Sequence, residues 1–364
     1  MPRQLAQLRR YLLAAFIGFA AAYLLLFVPL PYYILMPGSA EPVKPMVHLA
    51  QGEPAEKGVF LLTTVGGRDA NLLNYFIALV DPNEELVKKK DMFGDESIQD
   101  YSQRQEYVML TSQSDAMQAA YRKAGVPYEI KNEGVMVLRT LPGYPAERIL
   151  RGGDYLLQID ETPIRKAQDL LDFLKGKKAG DTVKIAYRRN KANDSATMTL
   201  ATLPQDKDAA GKPLPPRPGL GFVPGDVQSV QASDASKQLA VKTEDIGGPS
   251  AGLMFSLEMY AQLTGKDLTK GYRVAGTGTI DPNGQVGVIG GIEHKIVAAE
   301  REHADVFFAP QDLYPKQGEK FQPVLNYSAA VKQAKKIGSK MKIVPVTTMD
   351  DALRYLDGLT AKSG

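Results

Sequence analysis

The alternation of apolar and polar positions divides the chain into an N-terminal apolar run and a longer region of mixed pattern. Residues 11–40 carry no charged side chain, and residues 11–28 are almost entirely apolar. A run of this length approaches what a helix needs to cross a bilayer. We therefore predict a transmembrane anchor over residues 11–36, ended or kinked by Pro29 and Pro31.

The residues that flank this run predict its orientation. Positive charge precedes it, at Arg3, Arg9 and Arg10. This asymmetry places residues 1–10 in the cytoplasm and the rest of the chain outside, with Tyr32 and Tyr33 at the far interface. A cleavable signal peptide, cut in the small residues 38–40, is the alternative. The length of the apolar run favours the uncleaved anchor.

The next hundred residues combine strand and helix patterns. Residues 37–54 indicate an extended tether and first strand, and residues 58–65 indicate an apolar strand. Residues 71–80 have helical spacing, with one apolar side formed by Leu72, Leu73, Phe76, Leu79 and Val80. Residues 108–124 predict a second helix that ends at Gly125.

Residues 133–202 have the pattern of a separate β-rich unit. A strand at 134–139 is followed by a short helix, a turn and strand, a longer helix at 167–175, and β runs at 182–188 and 196–203. This order, together with Gly153, Asp154, Leu156, Ile159 and Asp160, resembles a PDZ domain of the kind attached to bacterial proteases.

The resemblance implies that this unit binds a peptide as an extra strand beside a sheet edge. It also implies that Gly134 and Val135 lie in the peptide-facing loop. A structural spacer that binds no peptide is the alternative.

The last third of the chain predicts an alternation of helices and short strands. The predicted elements are a strand at 228–243, a helix at 251–263, a strand at 274–280 with a turn at 281–284, a helix opening at Lys295, buried parallel strands at 305–309 and 342–346, and a helix at 350–356.

The turn at residues 247–252 carries the candidate chemistry. A serine on a Gly/Pro-rich turn before an apolar helix can present its hydroxyl among backbone N–H groups. Taken alone, the turn is more often an ordinary helix cap. A serine nucleophile needs a base, and the chain has only three histidines, at 48, 294 and 303. A lysine whose pKa is lowered by burial is the other option, and Lys295 is bracketed by Ile292 and Ile296.

Residues 246–309 resemble the proteolytic domain of the Lon family of Ser-Lys peptidases. The matching segments are 248–252, 268–271, 275–280 and 290–292 with Lys295. The resemblance implies that Ser250 is the nucleophile, Lys295 the general base, and Thr277 a hydrogen-bond partner of the lysine amine. It also implies an oxyanion and substrate loop formed by Gly248, Pro249, Ala251 and Gly252. One departure is Gly247, where ATP-dependent relatives carry an acidic residue.

Composition removes several other classes of function. The formal net charge is +3, which gives no reason to propose a nucleic-acid partner. The chain has no cysteine, which excludes disulfides, Cys-ligated zinc and a thiol nucleophile. It has neither a phosphate-binding Gly-x-x-x-x-Gly-Lys-Ser/Thr motif nor a metal-spaced His/carboxylate motif. We therefore expect no cofactor or metal and no dependence on ATP.

These patterns give one predicted organisation. We expect an α/β (α+β) Lon-type proteolytic domain, a β-rich PDZ domain and one N-terminal transmembrane helix. The predicted boundaries are residues 1–10 for the tail, 11–36 for the anchor, 37–130 for a first protease segment, 131–204 for the PDZ unit, 205–218 for a Pro-rich linker and 219–364 for the protease. Residues 219–222 spell a PDZ-type carboxylate loop, but we interpret them as the strand that re-enters the protease domain.

As a whole the chain resembles membrane-anchored, extracellular PDZ–Lon-like serine proteases of Gram-positive bacteria, some of which process secreted signalling peptides. The resemblance implies an ATP-independent endopeptidase of the cell membrane that cleaves unstructured peptides or secreted proteins. The alternative is a catalytically inactive, membrane-tethered protein that binds peptides through its PDZ unit. The sequence does not predict the oligomeric state.

Overall fold

The computed structural model describes residues 2–52, 54, 56–94, 96–189, 192–203, 216–243, 246–315 and 322–362. Most of the predicted linker at 205–218 lies outside the described residues. The helices are α1 (Pro2–Phe27), α2 (Leu72–Val80), α3 (Lys89–Phe93), α4 (Ile98–Ala124), α5 (Ala167–Leu174), α6 (Gly252–Thr264), α7 (Ile292–Arg301), α8 (Tyr327–Lys336) and α9 (Met349–Asp357).

The strands are β1 (Pro29–Pro42), β2 (Val47–Leu49), β3 (Val59–Asn71), β4 (Glu85–Lys88), β5 (Tyr128–Thr140), β6 (Tyr155–Ile159), β7 (Thr162–Pro163), β8 (Thr182–Arg189), β9 (Ala192–Thr199), β10 (Ala201–Thr202), β11 (Pro218–Gly219), β12 (Phe222–Ala232), β13 (Leu239–Val241), β14 (Arg273–Gly276), β15 (Thr279–Ile280), β16 (Val286–Gly287), β17 (Val306–Pro310) and β18 (Lys342–Val346).

The N-terminal helix α1 ends nine residues before the predicted end of the anchor. Within it, the 19 residues Arg9–Phe27 are long and apolar enough to cross a membrane. The chain leaves the helix at Phe27 because Pro29 and Pro31 cannot donate helical hydrogen bonds. Residues 29–36 belong instead to β1, so the expectation that the anchor extends to residue 36 is wrong.

The two tyrosines predicted at the far membrane interface lie in β1, where both are half-buried against other aromatic rings. The Tyr33 ring makes an edge contact with Phe93 of α3, with centroids 5.2 Å apart. The Tyr32 ring lies 5.3 Å from Tyr75 of α2. Ile34, on the same side of β1 as Tyr32, is fully buried.

The main sheet has the strand order β18-β17-β14-β3-β1-β4. The strands β18, β17, β14 and β3 are parallel, which confirms the predicted parallel pair near residues 305–309 and 342–346. The strand β1 is antiparallel to both β3 and β4.

The largest hydrophobic core takes residues from two separated parts of the chain. Buried residues of the first part are Phe60, Leu62, Met109 and Tyr121, and those of the second are Leu253, Phe255, Val274 and Phe308. The helices α4 and α6 pack against each other within this core. The β-rich unit is therefore inserted between two segments that share one core.

The β-rich unit has a second sheet, ordered β12-β5-β6-β8-β9, and a core of its own. Leu220 is buried in that core, and Phe222 packs against it. The backbone N–H of Leu141 donates to the carbonyl of Gly221, and that of Ala146 donates to the carbonyl of Leu220. Residues 219–222 thus complete the β-rich unit, which corrects their assignment to the protease domain alone.

A long antiparallel ribbon connects the two cores. The strands β5 and β12 pair from Phe222 opposite Thr140 to Ala232 opposite Tyr128. At one end the ribbon belongs to the core of the β-rich unit, whereas at the other Val230 and Ala232 are buried in the main core. The chain therefore re-enters the main core along β12.

Candidate active site

The turn before α6 is held in a shape that few other residues would permit. Gly248 has φ +87°, in the region that favours glycine. The hydroxyl of Ser112 on α4 donates to the carbonyl of Pro249 at 2.9 Å. A Cβ atom on Gly252 would lie 2.8 Å from that same hydroxyl. The turn and α4 are consequently packed too closely for a side chain at residue 252.

The backbone of Ser250 is fixed from the opposite side by the segment after β14. The hydroxyl of Thr277 donates to the carbonyl of Ser250 at 3.0 Å, and the N–H of Gly278 donates to it at 2.8 Å. Two donors on one carbonyl restrict the position of the Ser250 side chain. Thr277 is fully buried, so this contact is shielded from water.

The amine of Lys295 lies directly beside the serine hydroxyl. Lys295 is on α7 and is 3% exposed. Its Nζ lies 2.8 Å from the Oγ of Ser250 and donates to the carbonyl of Thr63 at 2.6 Å. The sequence predicted that Thr277 hydrogen-bonds this amine. The structure instead gives that contact to Thr63 of β3, and Thr277 acts on the backbone of Ser250.

Burial changes the protonation of this lysine. Removal from water disfavours the charged ammonium and lowers the pKa of Lys295 from 10.5 to about 7. A substantial fraction of the amine is then neutral near neutral pH. In that state the serine hydroxyl can donate its hydrogen bond to the nitrogen lone pair, as general-base catalysis requires.

Within residues 248–252, two backbone N–H groups remain as candidate donors to an oxyanion. Pro249 has no N–H, the N–H of Gly248 donates to the carbonyl of Gln105, and the N–H of Gly252 donates to the carbonyl of Pro249. Ser250 and Ala251 lie in the first turn of the short helix that begins at Pro249, where backbone N–H groups lack intrahelical acceptors. Their two N–H groups are the candidates for holding an oxyanion.

A cleft of about 590 Å³ opens onto Ser250 and Lys295. One wall is formed by Tyr33, Met92 and Tyr101, and the Phe93 ring makes edge contacts with both tyrosines. The other wall is β3. Its pairing with β14 ends at Leu62, and the strand continues along the cleft as Thr64, Val65, Gly66 and Gly67.

His294 faces Glu85 and is not among the residues that line this cleft. His294, next to the lysine in sequence, is buried with its Nε2 3.4 Å from a carboxylate oxygen of Glu85. Across the part of the chain that the structure describes, no cluster of three or more His, Cys, Asp or Glu residues could hold a metal ion.

The predicted peptide-binding pair of the β-rich unit is not in a loop. Gly134 and Val135 lie within β5, which pairs with β12 on one side, while Val135 also pairs with Leu156 of β6 on the other. Val135 is fully buried. The expectation that Val135 faces a bound peptide is therefore wrong, because both edges of β5 are already occupied at that residue. Gly134 lies in the same strand, paired with Val227 of β12.

Four contributors to the site were not predicted from the sequence: Thr63, Gln105, Ser112 and Tyr33. Thr63 and Gln105 act through backbone carbonyls, which any residue could supply. Ser112 and Tyr33 come from α4 and β1, more than 130 residues before Ser250. Their position near Ser250 follows from the shared core, and no local motif marks it.

Comparison with known proteins finds two domain families in the chain. The model of the Lon protease (S16) C-terminal proteolytic domain matches residues 243–356, and a PDZ domain model matches residues 108–200. The Lon protease of Aster yellows witches'-broom phytoplasma (strain AYWB) is 29% identical over 104 residues. That alignment covers 29% of this chain and 11% of the relative, so the chain spans only a small part of the curated protein.

Among solved structures, the chain is similar to the PDZ domains of two SdrC-like proteins. The domain from Listeria monocytogenes is 31% identical, and the match covers 25% of this chain and 87% of that domain's chain, with a TM-score of 0.21. The domain from Listeria innocua is 34% identical, and the match covers 25% of this chain and 92% of that domain's chain, with a TM-score of 0.20. On the two family matches, the chain carries a PDZ domain and a Lon-type proteolytic domain.

Proposed function

We propose that this protein is a serine endopeptidase that uses a Ser250–Lys295 dyad. The observation that carries the proposal is the 2.8 Å separation between the Lys295 amine and the Ser250 hydroxyl. Burial lowers the pKa of this lysine to about 7. The proteolytic unit comprises both segments of the main core, since β3 and α4 supply Thr63 and Ser112 to the site.

The reaction is an acyl transfer in two halves. The Ser250 oxygen attacks the peptide carbonyl carbon while its proton passes to the neutral Lys295 amine. The N–H groups of Ser250 and Ala251 hold the resulting oxyanion. The tetrahedral intermediate then breaks its C–N bond, and Lys295 gives the proton to the leaving amine. Water then attacks the remaining ester while Lys295 takes its proton. The acyl–Oγ bond breaks, Lys295 returns the proton to the Ser250 oxygen, and a carboxylic acid product leaves.

The cleft is suited to an extended, unstructured peptide. The edge of β3 along residues 64–67 can pair with a substrate strand, which fixes the scissile bond by main-chain hydrogen bonds. The wall of Tyr33, Met92 and Tyr101 then receives an apolar substrate side chain. ATP-driven unfolding of substrates is not part of this mechanism, so folded proteins are poor substrates.

We further propose that α1 anchors the enzyme in the cell membrane with its N-terminus in the cytoplasm. Support comes from the apolar helix over Arg9–Phe27 and from Arg3, Arg9 and Arg10 before or at its start. The catalytic unit then lies outside the cell, where secreted peptides and proteins are its substrates.

Hydrolysis of an unfolded protein by the purified full chain tests the proposal. We expect cleavage without ATP, no loss of activity with EDTA, and no cleavage by Ser250→Ala. Strong stimulation by ATP would contradict ATP independence, and equal cleavage by Ser250→Ala would exclude the dyad. A folded chain that cleaves nothing would instead favour a peptide-binding protein.

The location is tested separately on intact cells. A protease added outside should remove the catalytic unit and leave a membrane-bound fragment that begins at residue 1 or 2. A mature chain that starts near residue 41 and is found in the medium would contradict the anchor and leave the chemistry unaffected.

A further inference from the structure

The helix α2 presents an apolar surface that the described residues leave uncovered. Only Ala78 of its nine residues is buried. Phe76 is 58% exposed and Val80 is 81% exposed, and Leu73, Ile77 and Leu79 are also exposed. Most of these side chains belong to the apolar side that the helical spacing of residues 71–80 predicts. Their exposure is unusual for a soluble surface, where apolar side chains of this size rarely form one contiguous patch.

The position of α2 next to the end of α1 indicates what covers this patch. The side-chain amide of Asn71 caps α2 by accepting from the N–H of Asn74, and it donates to the carbonyl of Leu26 at 2.8 Å. Leu26 is the penultimate residue of α1. The helix α2 therefore starts at the level where the proposed membrane span ends, which is the interface between hydrocarbon and headgroups.

The residues beside α2 have the chemistry of that interface. The rings of Tyr32 and Tyr75 lie 5.3 Å apart, between β1 and α2. Tyrosine is favoured at the headgroup level because its ring is apolar and its hydroxyl polar. Lys88, which is exposed, pairs in register with Tyr32 and so projects from the same side of the sheet. Its charge suits anionic headgroups.

We propose that α2 is an interfacial helix whose exposed apolar side chains insert into the outer surface of the lipid bilayer. This inference rests on the anchor in the proposed function. An interfacial helix lies in the plane of the membrane surface, with its apolar side chains buried among the first carbons of the acyl chains. The helix packs on β1 through Ala78 and Ile34, so insertion fixes the main sheet relative to the membrane.

The arrangement has a consequence for substrates. Successive side chains of β1 point to opposite faces, so Tyr32 and Ile34 face α2 while Tyr33 and Leu35 line the catalytic cleft. A membrane-seated α2 then holds the cleft at a fixed position close to the bilayer. Peptide segments near the membrane surface reach it more readily than sites far from the membrane.

The absence of tryptophan from the chain makes the proposal directly measurable. The full-length variant Phe76→Trp carries one tryptophan on α2. It is reconstituted into vesicles of phosphatidylcholine and phosphatidylglycerol, with brominated or unbrominated acyl chains. We expect a blue-shifted emission and loss of most of the fluorescence in brominated lipid. The matched control is Leu171→Trp, at an exposed apolar position on α5 of the PDZ unit, which should keep its fluorescence.

The control of the helix surface is the triple variant Leu73→Asp, Phe76→Trp, Val80→Asp. It retains α1, and its tryptophan should lose the blue shift and escape quenching by brominated lipid. Quenching of Phe76→Trp no greater than that of Leu171→Trp would overturn the proposal. Protection of Phe76→Trp from aqueous acrylamide without quenching by lipid would also overturn it, because a second protein copy would then cover α2.

Extraction at alkaline pH separates this inference from the anchor. A chain that resists extraction but whose tryptophan is not quenched supports the anchor and contradicts the interfacial helix. A chain that is extracted from the vesicles contradicts both. Peptide hydrolysis by the same sample reports on the dyad independently of either result.

Discussion

The Nζ of Lys295 and the Oγ of Ser250 lie 2.8 Å apart, although 45 residues separate them in the sequence. Three elements produce the contact. The turn before α6 presents Ser250, α7 presents Lys295, and β3 supplies the Thr63 carbonyl that receives a hydrogen bond from the same amine. The lysine is held against the serine, and burial keeps it ready to accept a proton.

The pKa of Lys295 predicts how activity changes with pH. Only the neutral amine accepts the serine proton, and burial lowers its pKa to about 7. We expect kcat/KM to rise with pH, to reach half its maximum near pH 7 and to fall to roughly one tenth of the plateau one unit below. A pH profile of peptide hydrolysis between pH 5 and about pH 10 measures this. A midpoint near the ordinary lysine pKa would contradict the assignment.

The same lowered pKa predicts an effect on stability. The unfolded chain protonates Lys295 up to about pH 10.5 and the folded chain only up to about pH 7, so the unfolded state binds more protons between these values. The resulting loss of stability is complete below about pH 7 and disappears as the pH rises toward 10.5. It is bounded by about 5 kcal/mol, at about 1.4 kcal/mol per pKa unit.

The variant Lys295→Met removes this contribution. The variant should be more stable than the unmodified chain, and its gain in the free energy of unfolding should be larger at pH 7 than at pH 10. Denaturant unfolding at the two pH values measures the difference, with Lys340→Met on the surface as the control. A difference that does not depend on pH would show that the lysine titrates normally.

Thr277 should matter through the backbone of Ser250. Thr277→Val removes the side-chain donor to the Ser250 carbonyl. We therefore expect kcat to fall about 2- to 10-fold with little change in KM. Thr277→Ser retains the hydroxyl and should restore most of kcat. If Thr277 contacted the amine, as the sequence suggested, Thr277→Val would also shift the pH midpoint. The structure predicts that the midpoint stays in place.

The ribbon of β5 and β12 allows the PDZ unit to be removed cleanly. Asn132 and Gln228 face each other in register, so residues 133–227 can be replaced by an Asn-Gly turn. We expect the shortened enzyme to keep its activity on short peptides and to lose activity on long unfolded substrates, which gain binding energy away from the scissile bond. Equal loss on both substrate classes would mean that the PDZ unit acts as scaffold.

Local patterns predicted much of the fold because they follow from periodicity and from turn residues. The helix α2, the helix α6 and the turn at residues 281–284 all lie where such signals placed them. The end of α1 was misplaced because apolar residues continue past Pro29 into the partly buried strand β1. Apolarity alone does not distinguish a membrane span from a core strand.

The site was predictable only where a side chain does the chemistry. Ser250 and Lys295 stand in motifs, whereas Thr63 acts through a carbonyl that leaves no mark on the sequence. Val135 was misjudged because β5 pairs with β6 on one side and, on the other, with β12, which comes almost a hundred residues later. Contacts between distant segments are decided by packing.

The most direct test of the dyad compares four full-length proteins on one fluorogenic unstructured peptide: the unmodified chain, Ser250→Ala, Lys295→Met and His294→Gln. The dyad predicts no detectable hydrolysis by Ser250→Ala, a loss of about 10²- to 10⁴-fold in kcat for Lys295→Met, and retained activity for His294→Gln. Circular dichroism confirms that each variant is folded. Near-full activity of Lys295→Met together with loss of activity in His294→Gln would contradict the account and assign the base to histidine.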